Sequence, residues 1–253
     1  MRGGHDSVCG CFPTGRHYPG IAERIAAAVT LVRGLASELD GASEWARCSF
    51  AVIDFETTGL DHENDRVLEV GIVCFDDGEP TARHEFLVDP GIPVPEEARK
   101  VHGITDEELA NAPRFEELYF EIAALLTGRV PVAYNAAFDK KFLLAECRRC
   151  EHLALSMAFP PAFRDDVEWI DPLVWVRELQ KYEKGKKLTE VCERLGITLD
   201  RAHRASGDAE ATGRVLLTLA RDMPRTYAEL IRIQGQYAAH QDVDTLTWRS
   251  RRN

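Results

Sequence analysis

Asp54 and Glu56 stand on alternate residues at the end of the apolar run Phe50-Ala-Val-Ile-Asp-Phe-Glu-Thr-Thr-Gly59. In a strand, residues i and i+2 project from one face, so both carboxylates are aimed at one spot. Two like charges that close are costly unless something positive sits between them. A hard divalent cation answers that need, because Mg²⁺ takes oxygen ligands and is typically held by one or two carboxylates. Taken alone, such a triplet is more often a solvated Asp and Glu beside a turn. Three further residues offer matching chemistry. Asp139 ends Tyr134-Asn-Ala-Ala-Phe-Asp139 at the start of a helical stretch, where a lone carboxylate also serves as a cap or dipole partner. Asp208 lies in the opening turn of another helical pattern (Ala209, Thr212, Val215, Leu216, Leu219). His203 precedes it on a loop, and a neutral imidazole can take a proton from water near neutral pH. No Ser or Cys nucleophile with a suitable base is evident, which favours direct attack by water.

The elements that must position these groups follow from periodicity and turn chemistry. Phe50 to Glu56 reads as a buried strand ended by Thr57-Thr58-Gly59, and Arg66 to Phe75 as a second strand. Asp76-Asp77-Gly78 is a hairpin signal leading into a third strand over Ala82 to Val88. Pro90 to Pro113 reads as loop with short helical pieces around Glu96 and Asp106, and Phe115 to Leu126 as a helix. Val130 to Tyr134 is a short strand, Phe138 to Cys150 a helix, and Trp169 to Asp171 a last short strand. Helices start near Pro172, Leu188 and Ser206. This order predicts an α/β domain with a mixed sheet whose first three strands form a meander. In an open α/β sheet, the carboxyl ends of neighbouring strands are where ligand sites gather, which suits Asp139 just after the fourth strand.

The expected organisation is a tail over 1–19, a helical extension and connector over 20–47, the main domain over 48–222, and a helical extension over 223–253. Ile21, Ile25, Val29, Val32 and Leu35 recur at helical spacing in the first extension, as do Ala228, Ile231, Ile233, Gln234 and Tyr237 in the last. Trp248 with Arg249, Arg251 and Arg252 forms a further docking or nucleic-acid element. No apolar run approaches the ~20 residues of a membrane span, and the N-terminus lacks a signal-peptide core. Seven cysteines without framework spacing suit reduced thiols in a cytoplasm. Cys147 and Cys150 form a CxxC without a second pair, and read as small helical residues rather than a zinc or redox site. The formal charge of −11 argues against a generic polyanion-coating protein, although acidic metal ligands account for part of it. Local cations remain, among them Lys140, Lys141, Arg148, Arg149 and the run from Lys181 to Lys187.

Four carboxylates and one histidine in this order resemble the DEDDh family of 3′→5′ exonucleases. The matching stretches are Asp54-Phe-Glu56-Thr-Thr-Gly, then Val101-His102-Gly103-Ile104-Thr105, then Asn135-Ala-Ala-Phe-Asp139, then His203 with Asp208 five residues on. They span roughly residues 48 to 220, and agreement in all of them in order is far more specific than agreement in any one. The resemblance implies a ribonuclease-H-like exonuclease fold with a mixed five-stranded sheet flanked by helices. It also implies phosphodiester hydrolysis with two Mg²⁺ ions, replaceable by Mn²⁺, about 4 Å apart. By position, Asp54 bridges both ions, Glu56 and Asp208 complete one site, Asp139 helps the other, and His203 deprotonates the attacking water.

The family likeness further assigns Thr57, Thr58, Gly59 and Leu60 to the terminal nucleotide, with backbone amides on the 3′-OH and Leu60 wedged against the last base. His102, Asn135 and Phe138 are similar to residues lining the substrate groove, while core packing is an equal alternative for Leu60 and Phe138. The implied partner is the 3′ end of a single strand, cut to nucleoside 5′-monophosphates. The motifs stand closest to the polymerase-proofreading branch, which favours DNA over RNA. The alternatives are an exoribonuclease of the same family, or an interaction module of a polymerase or repair complex.

Overall fold

The computed structural model of the protein describes residues 33–150, 159–199 and 204–250, with side chains through residue 243. Its sheet is built from β1 (Phe50–Thr57), β2 (Val67–Asp76), β3 (Glu79–Leu87) and β4 (Val130–Val132), in the order β3-β2-β1-β4. β1 and β2 pair antiparallel, as do β2 and β3, whereas β4 runs parallel to β1. The β2–β3 turn is Asp77-Gly78 with φ of 52° and 82°, the left-handed pair that a two-residue hairpin requires.

Helices α1 (Glu96–His102), α2 (Asp106–Leu109) and α3 (Phe115–Leu126) precede β4. Helices α4 (Ala136–Arg149), α5 (Pro172–Leu179), α6 (Leu188–Leu195), α7 (Ala205–Leu219) and α8 (Tyr227–Ser250) follow it. β1 is interior to the sheet, and both of its faces are covered, which is why its sequence is nearly all apolar. Ala51, Ile53 and Phe55 face a core shared with Phe115, Ile122 and Phe142. Phe50 and Val52 face a second core with Val73, Phe75, Val215 and Leu216. Asp54 and Glu56 continue this second face, so these two carboxylates sit where an apolar strand face emerges beside α7.

The expected fifth strand is reduced to one parallel bridge, Val132 to Ile170. Extension cannot continue because Asp171 already caps α5, its carboxylate accepting from Leu173 N–H at 2.9 Å, and Pro172 has no N–H to pair. Beyond this bridge, the Gln234 side chain accepts from Asp171 N–H and donates to the Trp169 carbonyl, both at 2.8 Å. Tyr227, Leu230 and Ile231 of α8 are buried in the second core, and the Tyr227 hydroxyl accepts from Ala36 N–H at 3.3 Å.

Of the helix expected over 21–35, residues up to 32 lie outside the described residues. Residues 33 and 34 form a turn in which Gly34 takes φ +88°. The side chains of Trp248, Arg249, Arg251 and Arg252 also lie outside the description. Among the described residues, no helix is long and apolar enough to cross a membrane.

Candidate active site

Asp54, Glu56 and Asp208 each offer an oxygen such that the three atoms lie within 4.8 Å of one another. The first two come from one face of β1, and the third from the opening turn of α7. Their approach depends on Gly71, which stands opposite Asp54 on β2. A Cβ there would lie 2.2 Å from the Ala205 carbonyl carbon and 2.4 Å from Ser206 N, so only glycine lets α7 begin this close to the sheet. The register also slips between Glu56 and Thr57, placing a bulge at the site end of β1.

Asp139, 3% exposed, reaches the same strand from α4. β4 pairs with β1 only through Val52, and farther along β1 the Asp139 Oδ1 accepts from Phe55 N–H at 3.1 Å. A side chain thus takes over a backbone partner where the neighbouring strand has ended. Burial pushes the Asp54 carboxyl well above its usual range, and Asp139, Asp208 and Glu56 push it further. Glu56 rises to about 7, through burial first and then Asp208 and Glu69, with Arg204 opposing. Asp139 is also driven well upward by burial, although the Phe55 amide favours its ionised form. Among the described residues, no Lys or Arg forms an ion pair with Asp54, Glu56 or Asp139. Clustered hard oxygens under mutual repulsion fit a divalent cation, which would restore their ionised state.

His203 lies outside the described residues, so its position relative to the carboxylates is not described. Its neighbour Arg204 is firmly placed. Arg204 Nε donates to Glu69 Oε1 at 2.9 Å, its Nη2 donates to both Glu69 and Glu85, and Ala205 N–H donates to Glu69 Oε2 at 2.9 Å. Ser206 Oγ completes the clasp by donating to Glu85. Sequence reasoning missed Glu69 and Arg204. The signal was a single charge inside the apolar run Val67-Leu-Glu-Val-Gly-Ile-Val73, opposite Glu56 in register.

The expected substrate residues divide by exposure. Thr57 and Thr58 are buried, and their hydroxyls serve the lip itself: Thr57 Oγ1 donates to the Gly59 carbonyl (2.6 Å), and Thr58 Oγ1 to Asp65 (2.9 Å). The Thr58 amide donates to the Arg66 carbonyl at 2.9 Å and is therefore already engaged. Leu60 is 86% exposed, which removes core packing as its explanation. Phe138 packs partly on the first core and lies 4.8 Å from Phe142, ring centre to ring centre.

Asn135 is exposed at φ 67°, and its backbone N–H donates to Asp171 at 3.0 Å. A non-glycine residue in this region is uncommon and concentrates at functional sites. His102 is buried, and its Nδ1 accepts from Ile104 N–H at 3.0 Å, which leaves the ring proton on Nε2. Burial holds His102 below the usual histidine range, with a hydrogen bond at the Thr57 backbone working the other way.

A mixed sheet flanked by helices, with converging carboxylates at the end of its first strand, defines a nuclease of ribonuclease-H-like fold. The chain belongs to the DEDDh 3′→5′ exonucleases: the exonuclease family matches residues 51–216, which include all five motif positions. It is 33% identical to the DNA polymerase III subunit epsilon of Treponema pallidum, over 68% of this chain and 76% of that one. It is also 32% identical to the PolC-type DNA polymerase III of Thermotoga petrophila, over 72% of this chain but only 13% of the polymerase. The chain therefore spans a small part of the PolC-type relatives it matches. Among solved structures, exonuclease X in complex with 5′ overhanging duplex DNA shares the fold, with a TM-score of 0.56 and 22% identity over 73% of this chain and 99% of that one.

Proposed function

We propose that the protein removes nucleotides from the 3′ end of single-stranded DNA as nucleoside 5′-monophosphates, with water as the nucleophile. The observation that carries this reading is the oxygen trio of Asp54, Glu56 and Asp208, within 4.8 Å and poised for a cation. Two Mg²⁺ ions, for which Mn²⁺ can substitute, would supply charge neutralisation at the attacking and leaving oxygens. Asp54, Glu56 and Asp208, with Asp139 beside them, would hold these ions.

His203 takes the proton of the attacking water as the new O–P bond forms. The bond to the 3′-oxygen of the penultimate nucleotide breaks, and that oxygen leaves with the shortened strand, taking a proton from solvent water to become the new 3′-hydroxyl. Leu60 and the lip at Thr57–Gly59 would receive the last nucleotide, beside His102, Asn135 and Phe138. A phosphodiester requires positioning and charge stabilisation more than a protein nucleophile, and this is what the carboxylate-bearing elements supply. Likeness to a polymerase III epsilon subunit supports DNA over RNA and a polymerase or repair complex as partner. The free thiols Cys48, Cys74, Cys147, Cys150 and Cys192 accord with a reducing, cytoplasmic setting.

The test is a pair of 5′-labelled single-stranded oligonucleotides, one DNA and one RNA, incubated with Mg²⁺, Mn²⁺ or EDTA. A ladder shortening from the 3′ end of the DNA and abolished by EDTA is expected. A faster ladder on RNA would transfer the reading to an exoribonuclease. Folded protein that shortens neither strand would end the catalytic reading.

A further inference from the structure

The last turn of α5 and the segment joining it to α6 contrast in charge with the rest of this acidic chain. Residues 177–187 carry five cations, Arg177, Lys181, Lys184, Lys186 and Lys187, against two carboxylates, Glu178 and Glu183. Several bonds fix the loop. Lys186 Nζ donates to the Gln180 carbonyl and, at 2.9 Å, to the Glu183 carbonyl. Arg194 donates to the Gln180 side chain (2.6 and 3.0 Å) and to the Lys184 carbonyl (3.2 Å). The Tyr134 hydroxyl donates to the Lys186 carbonyl at 2.5 Å, tying the loop to the chain just beyond β4.

This frame holds Arg177 and Lys187 at the surface, and among the described residues neither makes an ion pair. Together with Lys186 they line an open groove of about 620 Å³, where Glu190 is the acid and Asn135 is also part of the wall. Asn135 immediately precedes α4, whose first turn carries Asp139, so the groove starts beside the carboxylate site. On the same loop Tyr182 is 89% exposed, with Lys181 Nζ 5.3 Å from its ring centre.

We infer that this groove carries the body of a single-stranded nucleic acid upstream of its reacting 3′ end, with Arg177 and Lys187 on its phosphates and Tyr182 offering a stacking face. The inference rests on the catalytic reading for the polarity of the strand. Its physical basis is a rigid cationic wall with an exposed aromatic ring, the combination that holds single strands without reading sequence. Cations placed here also supply local attraction for a polyanion on a protein whose net charge repels it.

The test uses the full chain in Ca²⁺ and a fluorescent single-stranded DNA, with affinity measured across a salt series. Hydrolysis of a small thymidine 5′-(4-nitrophenyl phosphate) diester in Mg²⁺ is measured in parallel. Arg177→Glu with Lys187→Glu is expected to weaken strand binding about tenfold or more and to flatten the log–log salt slope by about 1.4, the share of two phosphate contacts on a single strand. Hydrolysis of the small diester should stay at the wild-type rate. Tyr182→Ala should weaken binding without changing the salt slope, and Arg221→Glu, at an exposed cation outside the groove, should change neither.

Unchanged affinity and slope in the double variant would overturn the inference. So would displacement of the strand by an acidic peptide of equal charge, which would give the groove to a protein partner. Loss of diester hydrolysis in the wild-type protein would instead count against the catalytic reading, while the binding series would still decide the groove.

Discussion

Two groups of carboxylates, one buried and one half-buried, are treated in opposite ways. Glu69 and Glu146, both essentially inaccessible, are each held by an arginine: Glu69 by Arg204, and Glu146 by Arg66 at 2.8 and 3.0 Å. Each also accepts from the backbone, Glu69 from Ala205 and Glu146 from Val67. Asp54 and Glu56 are pushed upward in pKa by burial and by one another's neighbourhood, and no arginine or lysine pairs with them among the described residues. A carboxylate that brings its own cation fastens elements together. A cluster without one stores repulsion that an ion from solution can relieve. Thus Glu69 anchors the start of α7, and Glu146 anchors the start of β2 to α4, while Asp54 and Glu56 have no such ion pair among the described residues.

The contrast is broken most severely at Asp54. Asp54→Asn is expected to lower the turnover of a single strand by about a thousandfold, comparable to losing a principal electrostatic group in other enzymes. Its melting temperature in EDTA should equal or exceed that of the parent, because a repelling charge is removed. A lowered melting temperature would move Asp54 into the fastening group.

Glu146→Ala should do the reverse. It removes the carboxylate acceptor of Arg66 Nε and Nη2 and of Val67 N–H, at a cost of about 3 kcal/mol, the low end for a broken buried pair because Arg66 is partly solvated and keeps the Pro90 carbonyl. A denaturant midpoint within error of the parent would refute this role.

The smallest effect concerns pH. Glu56 titrates near 7 in the folded chain against an ordinary 4.5, so between those values the native state keeps a proton that the unfolded state has released. Glu56 should therefore make stability in EDTA fall as pH rises from about 4.5 to 7, by about 2 kcal/mol once its partial exposure is allowed for, with the raised Asp54 and Asp139 carboxyls adding to the fall in the same direction. Glu56→Gln should make this slope shallower by the Glu56 share, and Mg²⁺ should reverse it by favouring the ionised forms. A slope that survives Glu56→Gln unchanged would assign the titration to another group.

Much of this arrangement is legible in the sequence. The alternation of Asp54 and Glu56 after an apolar run gives the strand and its aim, and Asp77-Gly78 dictates the hairpin. The helices around Asp139 and Asp208 follow from period and position. The fastening acids are harder to read, because Glu69 and Arg204 are 135 residues apart and a charge inside a strand ordinarily signals a solvated face. The fifth strand is overread for a related reason: Trp169 and Ile170 have strand character, but Asp171 is already committed to capping a helix. The lip is half legible. Leu60 stands in the open as a wedge requires, whereas the threonine hydroxyls that invite a nucleotide contact are spent on the turn itself.

Gln234 has a consequence for how copies of the protein meet in solution. Its single amide offers the Trp169–Asp171 segment one acceptor and one donor, doing for this margin what another strand would otherwise do. A shortened chain lacking α8 would bare that margin together with the apolar seats of Tyr227, Leu230 and Ile231. Bare strand margins recruit strands from other molecules. The final helix thus covers surface that would otherwise favour self-association, and a nuclease fragment trimmed to residues 48–222 would be expected to precipitate before it could be assayed.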